Sequence, residues 1–421
     1  MKVIVLGGGI IGTTTAYYLQ RHGHAVTLVD RQPGAAMETS FANGGIMSPS
    51  QAEPWGAPGV PLKILKWLGQ EDAPLLLRPR VVPSILGWGL RFLRSCTEER
   101  YWASVKRNLR LALHSAAAFK EVRADTGIRY DEQTGGSLKV YSTAESLDGA
   151  ARVTEVQRAF GLDYRMLSPR DCAVVEPALA SCVDRIQGGL HFPQDESGDC
   201  HVFAQGLAEI CRQRGVEFRW DTGIKGLVRE GDRVAGVETD RGRLTADAYV
   251  LALGAYSPLL ARGVGVTLHV CPVKGYSITV PGEAWATAPR IPVVDEGRKF
   301  GLVPFGTRLR VAGSAEITGY DTVPSDRRAT AIVNAASDLF PEFGRCVAAA
   351  RPTPWCGLRP VTPDGPPVLG RLKLANLYVN TGHGHLGWTL SCGSAKVVAD
   401  LVSGRDPGLD MEGLTNARFG G

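Results

Sequence analysis

The sequence lacks an uncharged apolar stretch of the roughly 18 residues that a membrane-spanning helix needs, and it lacks any run of like charges. Its 47 lysine and arginine residues nearly balance its 42 aspartate and glutamate residues. The nine cysteines are an odd number and include no C-x-x-C pair, and the N-terminus shows no charged and apolar leader. These absences argue against a membrane-spanning protein, a nucleic-acid partner, a zinc or iron–sulfur site and secretion. We predict reduced thiols in a cytoplasmic protein.

The sequence is rich in apolar residues and glycine. At about 150 residues per domain, 421 residues suggest two or three domains, or one large domain with insertions. Apolar residues make up 44% of the chain, which is enough to bury a core and to exclude wholesale disorder. The 51 glycines follow no Gly-X-Y period, so they indicate tight turns and not a collagen helix.

The first thirty residues have the pattern of a strand, a helix and a second strand. The apolar run from Lys2 to Leu6 predicts a buried parallel strand, and residues 10–21 have apolar and small residues at helical spacing. Between them lies Gly7-x-Gly9-x-x-Gly12. In this context Gly7 permits a tight turn, Gly9 lets the backbone approach a pyrophosphate, and Gly12 lets the helix pack closely on the strand.

The residues after these glycines complete a predicted dinucleotide site. The helix N-terminus supplies unpaired N–H groups and about half a positive charge to phosphates. Asp30 lies 18 residues beyond Gly12, at the end of the second strand, where an acid accepts hydrogen bonds from ribose hydroxyls. The alternative is a glycine-rich turn with a surface aspartate in an ordinary α/β protein. The motif by itself does not separate FAD from NAD.

Two short segments are basic, contain tryptophan and have amphipathic patterns. They run from Lys63 to Leu68 and from Leu86 to Arg94. Such segments are typical of interfacial helices, whose apolar face enters the lipid headgroup region while lysine and arginine meet anionic lipid. Packing of these helices on the protein itself or on a partner subunit is the alternative. A long helix is predicted from Ser104 to Asp125.

Six motifs, standing in order along the chain, carry a family resemblance. They are GGGIIG, DRQPGAAMETSFANGG, PWGAPGVPLK, DESGDC, GLRPVTPDGPPVLG and NTGHGHLGWTLSCGSA. On these motifs the chain resembles the D-amino-acid oxidase/glycine oxidase superfamily of flavoproteins, and within it the family of bacterial D-amino-acid dehydrogenase small subunits. The C-terminal strand, TGHGHLG loop and helix favour FAD over NAD, because a plain nicotinamide dehydrogenase has no need of that unit.

The resemblance implies two domains, so the expected fold class is α/β plus α+β. A Rossmann-type domain that binds FAD is assembled from residues 1–60, 195–265 and 355–421. An inserted substrate-binding domain, built on a large antiparallel sheet, comprises residues 61–194 and 266–354.

The resemblance also implies which residues bind FAD. The predicted set is Gly7, Gly9, Ile10, Ile11, Gly12, Asp30, Arg31, Thr39, Ser40, Asn43, Gly44, Gly45, Ile224, Gly254, Gly382, His383, Gly384, Leu386 and Gly387. Residues 39–45 are expected along the flavin, where small polar groups donate hydrogen bonds; a solvated turn is the alternative. Ile224 is expected to hold the adenine through its backbone groups.

The TGHGHLG loop near the C-terminus precedes a helix. The resemblance implies that the N-terminus of this helix points at the flavin C2 carbonyl, where it stabilises the negative charge of a reduced flavin. His383 and His385 could be mistaken for metal ligands, but no acid or cysteine lies at ligand spacing nearby. We therefore predict no metal site, and the role of His385 stays open.

Arg359, in the GLRP motif, is the predicted substrate-binding residue. A guanidinium meets a planar carboxylate with two parallel hydrogen bonds, which lysine cannot do, and the resemblance implies the same role. A structural salt bridge is the alternative. Tyr276 and Tyr320 are candidates to close the pocket with a hydroxyl, although either could be a core or surface residue. Trp55 and Trp388 could line the pocket or serve packing alone.

The resemblance implies oxidative deamination of a D-amino acid. A hydride passes from Cα to flavin N5, and water then converts the imino acid to a 2-oxo acid and ammonia. Substrate positioning and the electronics of the flavin do most of this work, so no strong side-chain base is required. A sarcosine, glycine or cyclic imino acid oxidoreductase of the same superfamily is one alternative. A flavin-carrying electron-transfer subunit without substrate chemistry is another.

The predicted electron acceptor is a quinone or another membrane acceptor. The two basic, tryptophan-containing segments predict peripheral association with a membrane. Together with the predicted reduced thiols, this points to the cytoplasmic face of the bacterial inner membrane. No nucleic acid is expected as a partner.

Overall fold

The computed structural model describes residues 1–67, 70–71, 73 and 75–420. The strands are β1 (Lys2–Leu6), β2 (Ala25–Val29), β3 (Ile46–Met47), β4 (Leu75–Leu77), β5 (Ser137–Tyr141), β6 (Arg165–Leu167), β7 (Gly188–Phe192), β8 (Glu196–Ser197), β9 (Glu217–Arg219), β10 (Ile224–Glu230), β11 (Arg233–Thr239), β12 (Gly242–Leu244), β13 (Ala248–Leu251), β14 (Cys271–Pro281), β15 (Val293–Asp295), β16 (Phe300–Phe305), β17 (Arg308–Ile317), β18 (Trp355–Val361), β19 (Val368–Arg371) and β20 (Leu377–Thr381). The α-helices are α1 (Ile10–Arg21), α2 (Val60–Trp67), α3 (Val82–Ser95), α4 (Glu98–Thr126), α5 (Ala144–Arg158), α6 (Pro169–Val175), α7 (Cys200–Gln213), α8 (Ser257–Arg262), α9 (Asp326–Leu339), α10 (Pro341–Ala350) and α11 (Gly387–Val402).

A six-stranded sheet contains the N-terminal strand, helix and strand. Its order is β19-β20-β13-β1-β2-β9, and all neighbouring pairs are parallel except β19 with β20. Helices α1, α4, α7 and α11 form one apolar cluster with this sheet. A second cluster joins the sheet to α8 and to the three strands β10, β11 and β12. Apolar packing on both faces explains why the central strand β1 is a short, unbroken apolar run.

A second, larger sheet has the order β18-β14-β17-β16-β15-β5-β7-β6, with β4 beside β17. All its neighbouring pairs are antiparallel except β15 with β5 and β17 with β4. Helices α9 and α10 pack on it in an apolar cluster of their own. The predicted fold class, a Rossmann-type domain plus a domain built on a large and mostly antiparallel sheet, is confirmed.

Strand β18 links the two sheets. It pairs with β14 of the large sheet from Val361 opposite Cys271 to Trp355 opposite Ser277, and the chain then enters the six-stranded sheet at β19. The predicted FAD-binding segment 355–421 therefore begins with a strand whose hydrogen bonds lie in the large sheet. The sequence signals that strand but not its partner, because pairing is decided by contacts about 80 residues apart.

Helix α4 is longer than the predicted helix and begins at Glu98 instead of Ser104. Two acids in its first turn suit the positive end of the helix dipole. The helix ends at Thr126, and Gly127 follows in the left-handed conformation with φ of +63°. The apolar periodicity predicts the middle and the end of this helix but not its polar first turn.

The two amphipathic segments form helices α2 and α3, and Leu68, the end of the first segment, lies outside the described residues. Leu86, Leu90 and Leu93 of α3 are spaced at i, i+4 and i+7 and are exposed by 58%, 49% and 49%. We call these three side chains the α3 leucine face. No helix in the described part of the chain has both the length and the apolarity to cross a bilayer.

All nine cysteines are free thiols, and eight of them are buried. Burial raises the pKa of these thiols, for example to about 11 in Cys172 and to about 12 in Cys211. Buried thiols with raised pKa values are poor nucleophiles, so these residues act in packing. Within the described residues, no group of histidine, cysteine and acid side chains has the arrangement of a metal site.

Candidate active site

A cavity of about 1170 Å³ lies between the two sheets. Residues that follow β1, β2 and β13 form one part of its wall, and residues of the large sheet form the other. Ligands of α/β proteins bind at such carboxyl ends of parallel strands. Sites for one small molecule run to about 1,000 Å³, so this cavity has room for a dinucleotide and a small substrate together.

Most residues predicted to bind the cofactor line this cavity. They are Gly9, Ile10, Ile11, Asp30, Arg31, Thr39, Ser40, Asn43, Gly44, Gly45, Ile224, Gly254, His383, Gly384 and Gly387. Gly7, Gly12, Gly382 and Leu386 are not part of the wall, and Leu386 packs in the apolar cluster around α11. The structure thus gathers six separate stretches of the sequence around one space.

The glycines after β1 divide into two kinds. A Cβ on Gly12 would stand 1.8 Å from the carbonyl oxygen of Gly7, and a Cβ on Gly7 would stand 2.6 Å from that of Ala252. A Cβ on Gly9 would meet only Ser40 Oγ, at 3.6 Å. Gly7 and Gly12 therefore permit close backbone packing, whereas Gly9 leaves open space beside the N-terminus of α1.

Asp30 stands at the carboxyl end of β2 on the cavity wall. Its carboxylate accepts hydrogen bonds from the backbone N–H of Gly8 at 2.6 Å and of Gln32 at 2.8 Å. Burial raises the pKa of Asp30, and the two N–H groups act in the opposite direction. The carboxylate is thus fixed in place by the glycine loop, with lone pairs left to accept bonds from ribose hydroxyls.

Arg31 also lines the cavity, but its charge is already paired. Its Nε donates to Glu38 at 2.7 Å, and its guanidinium lies 4.5 Å from the ring centre of Tyr256. The hydrogen bond with Glu38 raises the pKa of Arg31. Because the side chain is about half exposed, this pair contributes little to stability. Ile224, the first residue of β10, reaches the same cavity.

The polar loop of residues 39–45 uses several of its own groups to hold its shape. Thr39 Oγ1 donates to the carbonyl of Leu358 at 3.1 Å, which ties the loop to β18. Ser40 Oγ accepts from the backbone N–H of Ile10 at 3.2 Å. Asn43 Oδ1 accepts from the N–H of Gly45 at 2.9 Å. The loop therefore presents backbone groups to the cavity more than free side-chain donors.

The C-terminal unit runs from β20 through a short turn into α11, whose first residues line the cavity. His383 is buried, and its Nε2 lies 3.1 Å from Ser394 Oγ. Burial lowers the pKa of His383 to about 3, so the ring is neutral. Two buried nitrogens here, His383 Nδ1 and Trp388 Nε1, have no partner among the described residues.

These observations fit a bound flavin nucleotide. Buried polar atoms without partners are rare in folded proteins, and a ligand that fills the cavity gives them partners. The open space at Gly9, the N-terminus of α1 and the carboxylate of Asp30 suit a pyrophosphate and a ribose. The N-terminus of α11 adds a positive dipole end to the opposite part of the wall.

Arg359 lies on β18 and lines the cavity next to the glycines of β14 and β18. Its Nη1 donates to the carbonyl of Ser314 at 2.9 Å. Burial lowers the pKa of Arg359 to about 10, and no carboxylate of the described chain pairs with it. A Cβ on Gly275 would stand 2.2 Å from Arg359 Cζ, so glycine there makes room for the guanidinium. A partly buried guanidinium without a counter-charge is suited to bind an anion.

The two tyrosines predicted to close the pocket are occupied elsewhere. Tyr276 touches the cavity wall, but its hydroxyl donates to Glu316 at 2.6 Å and its ring packs in the core of the large sheet. Tyr320 is not part of the wall: its hydroxyl donates to the carbonyl of Ala255 at 3.1 Å, and its ring packs on Tyr256. Trp55 and Trp388 do line the cavity.

The structure adds wall residues that the sequence analysis did not single out. Lys139 and Tyr141 come from β5, and Glu296 follows β15. His385, whose role was open, stacks on Trp55 with ring centres 5.8 Å apart. The only available signal was the alternation in Ser-Leu-Lys-Val-Tyr, which puts the lysine and the tyrosine on one face of a strand.

Comparison with known proteins identifies the family of this chain. The DAO family, described as FAD dependent oxidoreductase, matches residues 2–401. The chain belongs to the DAO family of FAD-dependent oxidoreductases. FAD is thus its cofactor, in agreement with the prediction from sequence.

Members of the DAO family that resemble this chain include proteins of matching length. A "D-amino acid dehydrogenase" of Paramagnetospirillum magneticum is 50% identical over 420 residues, covering 100% of this chain and 99% of the relative. A "D-amino acid dehydrogenase" of Bradyrhizobium diazoefficiens is 47% identical over 419 residues, with the same coverage. These names give no subunit designation.

Solved structures of the DAO fold are more distant in sequence. Glycine oxidase from Geobacillus kaustophilus has a TM-score of 0.77 at 23% identity, covering 98% of this chain and 97% of its own. L-proline dehydrogenase from P. horikoshii has a TM-score of 0.78 at 18% identity, covering 100% and 97%. At these identities the likeness concerns the fold alone.

Proposed function

We propose that this chain is an FAD-dependent D-amino acid dehydrogenase, which converts a D-amino acid to a 2-oxo acid and ammonia. The full-length relatives at 50% and 47% identity support this substrate class. The observation that carries the proposal is Arg359, a partly buried guanidinium on the cavity wall with no counter-charge in the described chain. A substrate α-carboxylate supplies that counter-charge.

Arg359 has hydrogen-bond donors to spare for a carboxylate. A guanidinium carries five N–H groups, and the described chain uses Nη1 for the carbonyl of Ser314. Two parallel bonds to a carboxylate fix both the position and the orientation of the substrate. Binding the carboxylate also offsets the free-energy cost of burying the guanidinium, because the charge is then paired.

The protein residues orient the substrate and keep water away. FAD, when bound, supplies the acceptor for the hydride that leaves Cα. Arg359 holds the carboxylate, and the buried rings of Trp388 and His383 close the wall beside the N-terminus of α11. Transfer of a hydride from Cα depends on the alignment of the substrate and does not require removal of a proton from Cα. The site therefore needs no strong base near Cα.

The alternative functions are less well supported. Glycine oxidase and L-proline dehydrogenase share the fold with this chain at 23% and 18% identity, well below the identity of the D-amino acid dehydrogenases. A flavin subunit without substrate chemistry would have no use for an unpaired guanidinium in its cavity. Burying such a charge without a ligand costs several kcal/mol, about the order of a buried ion's desolvation.

Anaerobic mixing with D-alanine or D-proline tests the proposal. We expect the flavin absorbance to bleach with D-amino acids and to stay unchanged with the matching L-amino acids. Retention of the oxidised spectrum with a panel of D-amino acids would contradict the proposal. Rapid reoxidation by oxygen with release of peroxide would identify an oxidase instead of a dehydrogenase.

We further propose a quinone as the electron acceptor, reached at a membrane surface through the α3 leucine face. The opposite side of α3 is anchored, since Trp88 Nε1 donates to the carbonyl of Val361 at 2.9 Å. Helices α2 and α3 contain lysine and arginine but no acid, which suits anionic lipid. The predicted cytoplasmic face of the inner membrane agrees with this proposal. A partner subunit on the leucine face, as the resemblance to small subunits implies, is the alternative.

Flotation with liposomes separates these two occupants. We expect the protein to float with vesicles that contain anionic lipid, and the double variant Leu86→Glu with Leu90→Glu to stay at the bottom of the gradient. Val174→Glu is the matched control, because Val174 is 79% exposed and lies outside α2 and α3. Equal flotation of the wild type and the double variant would contradict the membrane proposal.

A further inference from the structure

One face of β5 is polar where it meets the cavity. Leu138 and Val140 point into the core of the large sheet, and Lys139 and Tyr141 alternate with them and line the cavity. Side chains two apart in a strand share a face. The substrate end of the cavity therefore has a polar wall in addition to Arg359.

Lys139 is a buried cation with unused donors. The residue is 5% exposed, and its Nζ donates to the carbonyl of Ser50 at 2.8 Å. The ammonium also lies 5.0 Å from the ring centre of Phe192. No carboxylate of the described chain forms an ion pair with it. An ammonium has three N–H donors, so two are left for a group in the cavity.

Tyr141 offers a second donor. The residue is 6% exposed, and its ring packs against Leu147 and Phe192. Burial raises the pKa of Tyr141, so its hydroxyl stays protonated. Within the described residues the hydroxyl has no hydrogen-bond partner, in contrast to that of Tyr276, which donates to Glu316. A hydroxyl on a cavity wall that has no partner in the described chain can donate to a ligand.

His385 connects this polar wall to Arg359. Its Nε2 lies 3.1 Å from the carbonyl of Gln51, and Lys139 binds the preceding carbonyl, that of Ser50. Burial lowers the pKa of His385 to about 4, and the charges of Arg359 and Lys139 act in the same direction. The bonds to consecutive carbonyls place Lys139 beside His385, and β18, which carries Arg359, packs against the turn that contains His385. All three side chains line the same cavity.

The charges around Lys139 are nearly balanced. Asp195 is fully buried behind it and accepts bonds from Ser50 and from Ser137. Glu296 faces the cavity, where its Oε2 lies 3.1 Å from Nζ of Lys299. The positive charge of Lys139 lowers the pKa of Glu296 and opposes the rise in the pKa of Asp195. The wall therefore offers donors without a large excess of charge.

We propose that Lys139 and Tyr141 form a subsite for the substrate side chain, which takes an oxygen acceptor. D-amino acids with a hydroxyl or amide side chain are then preferred over apolar ones of the same shape. This inference rests on the proposed function, because it assumes a D-amino acid held by Arg359. An apolar substrate side chain leaves the donors of Lys139 and Tyr141 without a partner. The kcat/KM of such a substrate is therefore lower than that of a polar substrate of the same shape.

Two pairs of substrates of similar shape measure this preference: D-threonine with D-valine, and D-asparagine with D-leucine. We expect the polar-to-apolar ratio of kcat/KM to fall about fivefold in Tyr141→Phe and about tenfold or more in Lys139→Met, as for loss of a neutral and of a charged hydrogen bond. Ratios that stay within about twofold of the wild type in both variants would overturn the subsite.

Tyr164→Phe is the matched control. Tyr164 packs against the same cluster as Tyr141, but its hydroxyl donates to Glu155 at 2.9 Å and it does not line the cavity. We expect its substrate ratios to equal those of the wild type. A fall like that of Tyr141→Phe would show that altered packing, and not a lost donor, changes the ratio, and it would overturn the proposal.

Binding without turnover separates the two proposals. Succinamate and 4-methylpentanoate are D-asparagine and D-leucine without the amino group, and their dissociation constants can be read from shifts of the flavin spectrum. We expect the wild type to favour succinamate and Tyr141→Phe to lose about fivefold of that preference. An unchanged preference, with D-alanine still reducing the flavin, overturns the subsite only. If no D-amino acid reduces the flavin, the proposed function is overturned, whatever the binding of succinamate and 4-methylpentanoate shows.

Discussion

The predicted nucleotide end of the cavity is built largely from backbone between Gly8 and Gly45, whereas the proposed substrate end is built from side chains on strands far apart in the sequence. At the first end the backbone packs so closely that a Cβ on Gly12 would stand 1.8 Å from the carbonyl oxygen of Gly7. At the second end β18 pairs with β14 and β5 with β15 in the large sheet, and Arg359 on β18 and Lys139 on β5 both line the cavity. A local motif thus encodes the predicted cofactor site, and long-range pairing assembles the proposed substrate site.

A substitution at Gly12 has the largest expected effect. In Gly12→Ala the new Cβ would meet the carbonyl of Gly7, and backbone cannot rotate away, so we expect a loss of about 3 kcal/mol or more and failure to fold. Gly9→Ala meets only Ser40 Oγ at 3.6 Å, so it is expected to fold but to bind FAD about tenfold less tightly. Thermal unfolding and FAD titration measure both. Equal stability of the two variants would contradict the division between packing and ligand-facing glycines.

Arg359 is the next largest case, and it tests the other end of the cavity. Loss of a buried charge-assisted pair costs about 3–5 kcal/mol, so we expect Arg359→Met to lower kcat/KM by about a thousandfold. FAD content should stay at the wild-type level, because Arg359 belongs to the substrate end. Arg359→Lys is expected to recover little, since lysine cannot form two parallel bonds. Stopped-flow reduction by D-alanine gives the rates, and loss of FAD with normal rates would contradict this assignment.

His383, a buried ring on the cavity wall, predicts a loss of stability in acid. Its pKa is about 3 in the folded state and 6.5 unfolded, so the unfolded state takes up a proton first as the pH falls. Stability is complete above pH 6.5 and falls below it, by about 2 kcal/mol between pH 6.5 and 5. Urea unfolding of wild type and His383→Asn at pH 7 and 5 measures the difference. An equal acid loss in both proteins would contradict the neutral buried ring.

The smallest expected effect is at Arg31, although it lines the cavity. Its charge is paired with Glu38 at 2.7 Å, and about half of the side chain is exposed. We expect Arg31→Ala to change FAD affinity by less than about threefold, in line with exposed ion pairs. Asp30→Ala should weaken FAD binding more, because Asp30 is half-buried and its carboxylate is bonded to the glycine loop. A larger loss of FAD affinity in Arg31→Ala than in Asp30→Ala, measured by FAD titration, would contradict this order.

The sequence pointed to the N-terminal strand, helix and strand because each of these elements is fixed by neighbouring residues. Apolar runs, helical spacing and the three glycines act over about thirty residues, and all of them are where the patterns indicate. The end of helix α4 was also readable. Its beginning at Glu98 was not, because polar first turns carry no apolar period.

The tyrosines show where sequence reasoning stops. Tyr276 and Tyr320 are the tyrosines predicted to close the pocket, yet their hydroxyls donate to Glu316 and to the carbonyl of Ala255. Tyr141 lies on β5, which carries none of the motifs singled out in the sequence, and it faces the cavity. Whether a tyrosine faces a cavity depends on which strand lies beside its own, and the chain carries no local mark of that partner.

By itself the sequence determined a dinucleotide site after the first strand, a fold of two sheet-based parts and an arginine fit for a carboxylate, because glycine geometry and the guanidinium act at the scale of a few residues. Only the tertiary structure decided that Arg359 lacks a counter-charge and that Lys139, Tyr141 and His385 share its cavity. The desolvation and the charge pairing of a side chain depend on all the residues that line the cavity wall. That wall forms only after strands distant in the sequence have paired.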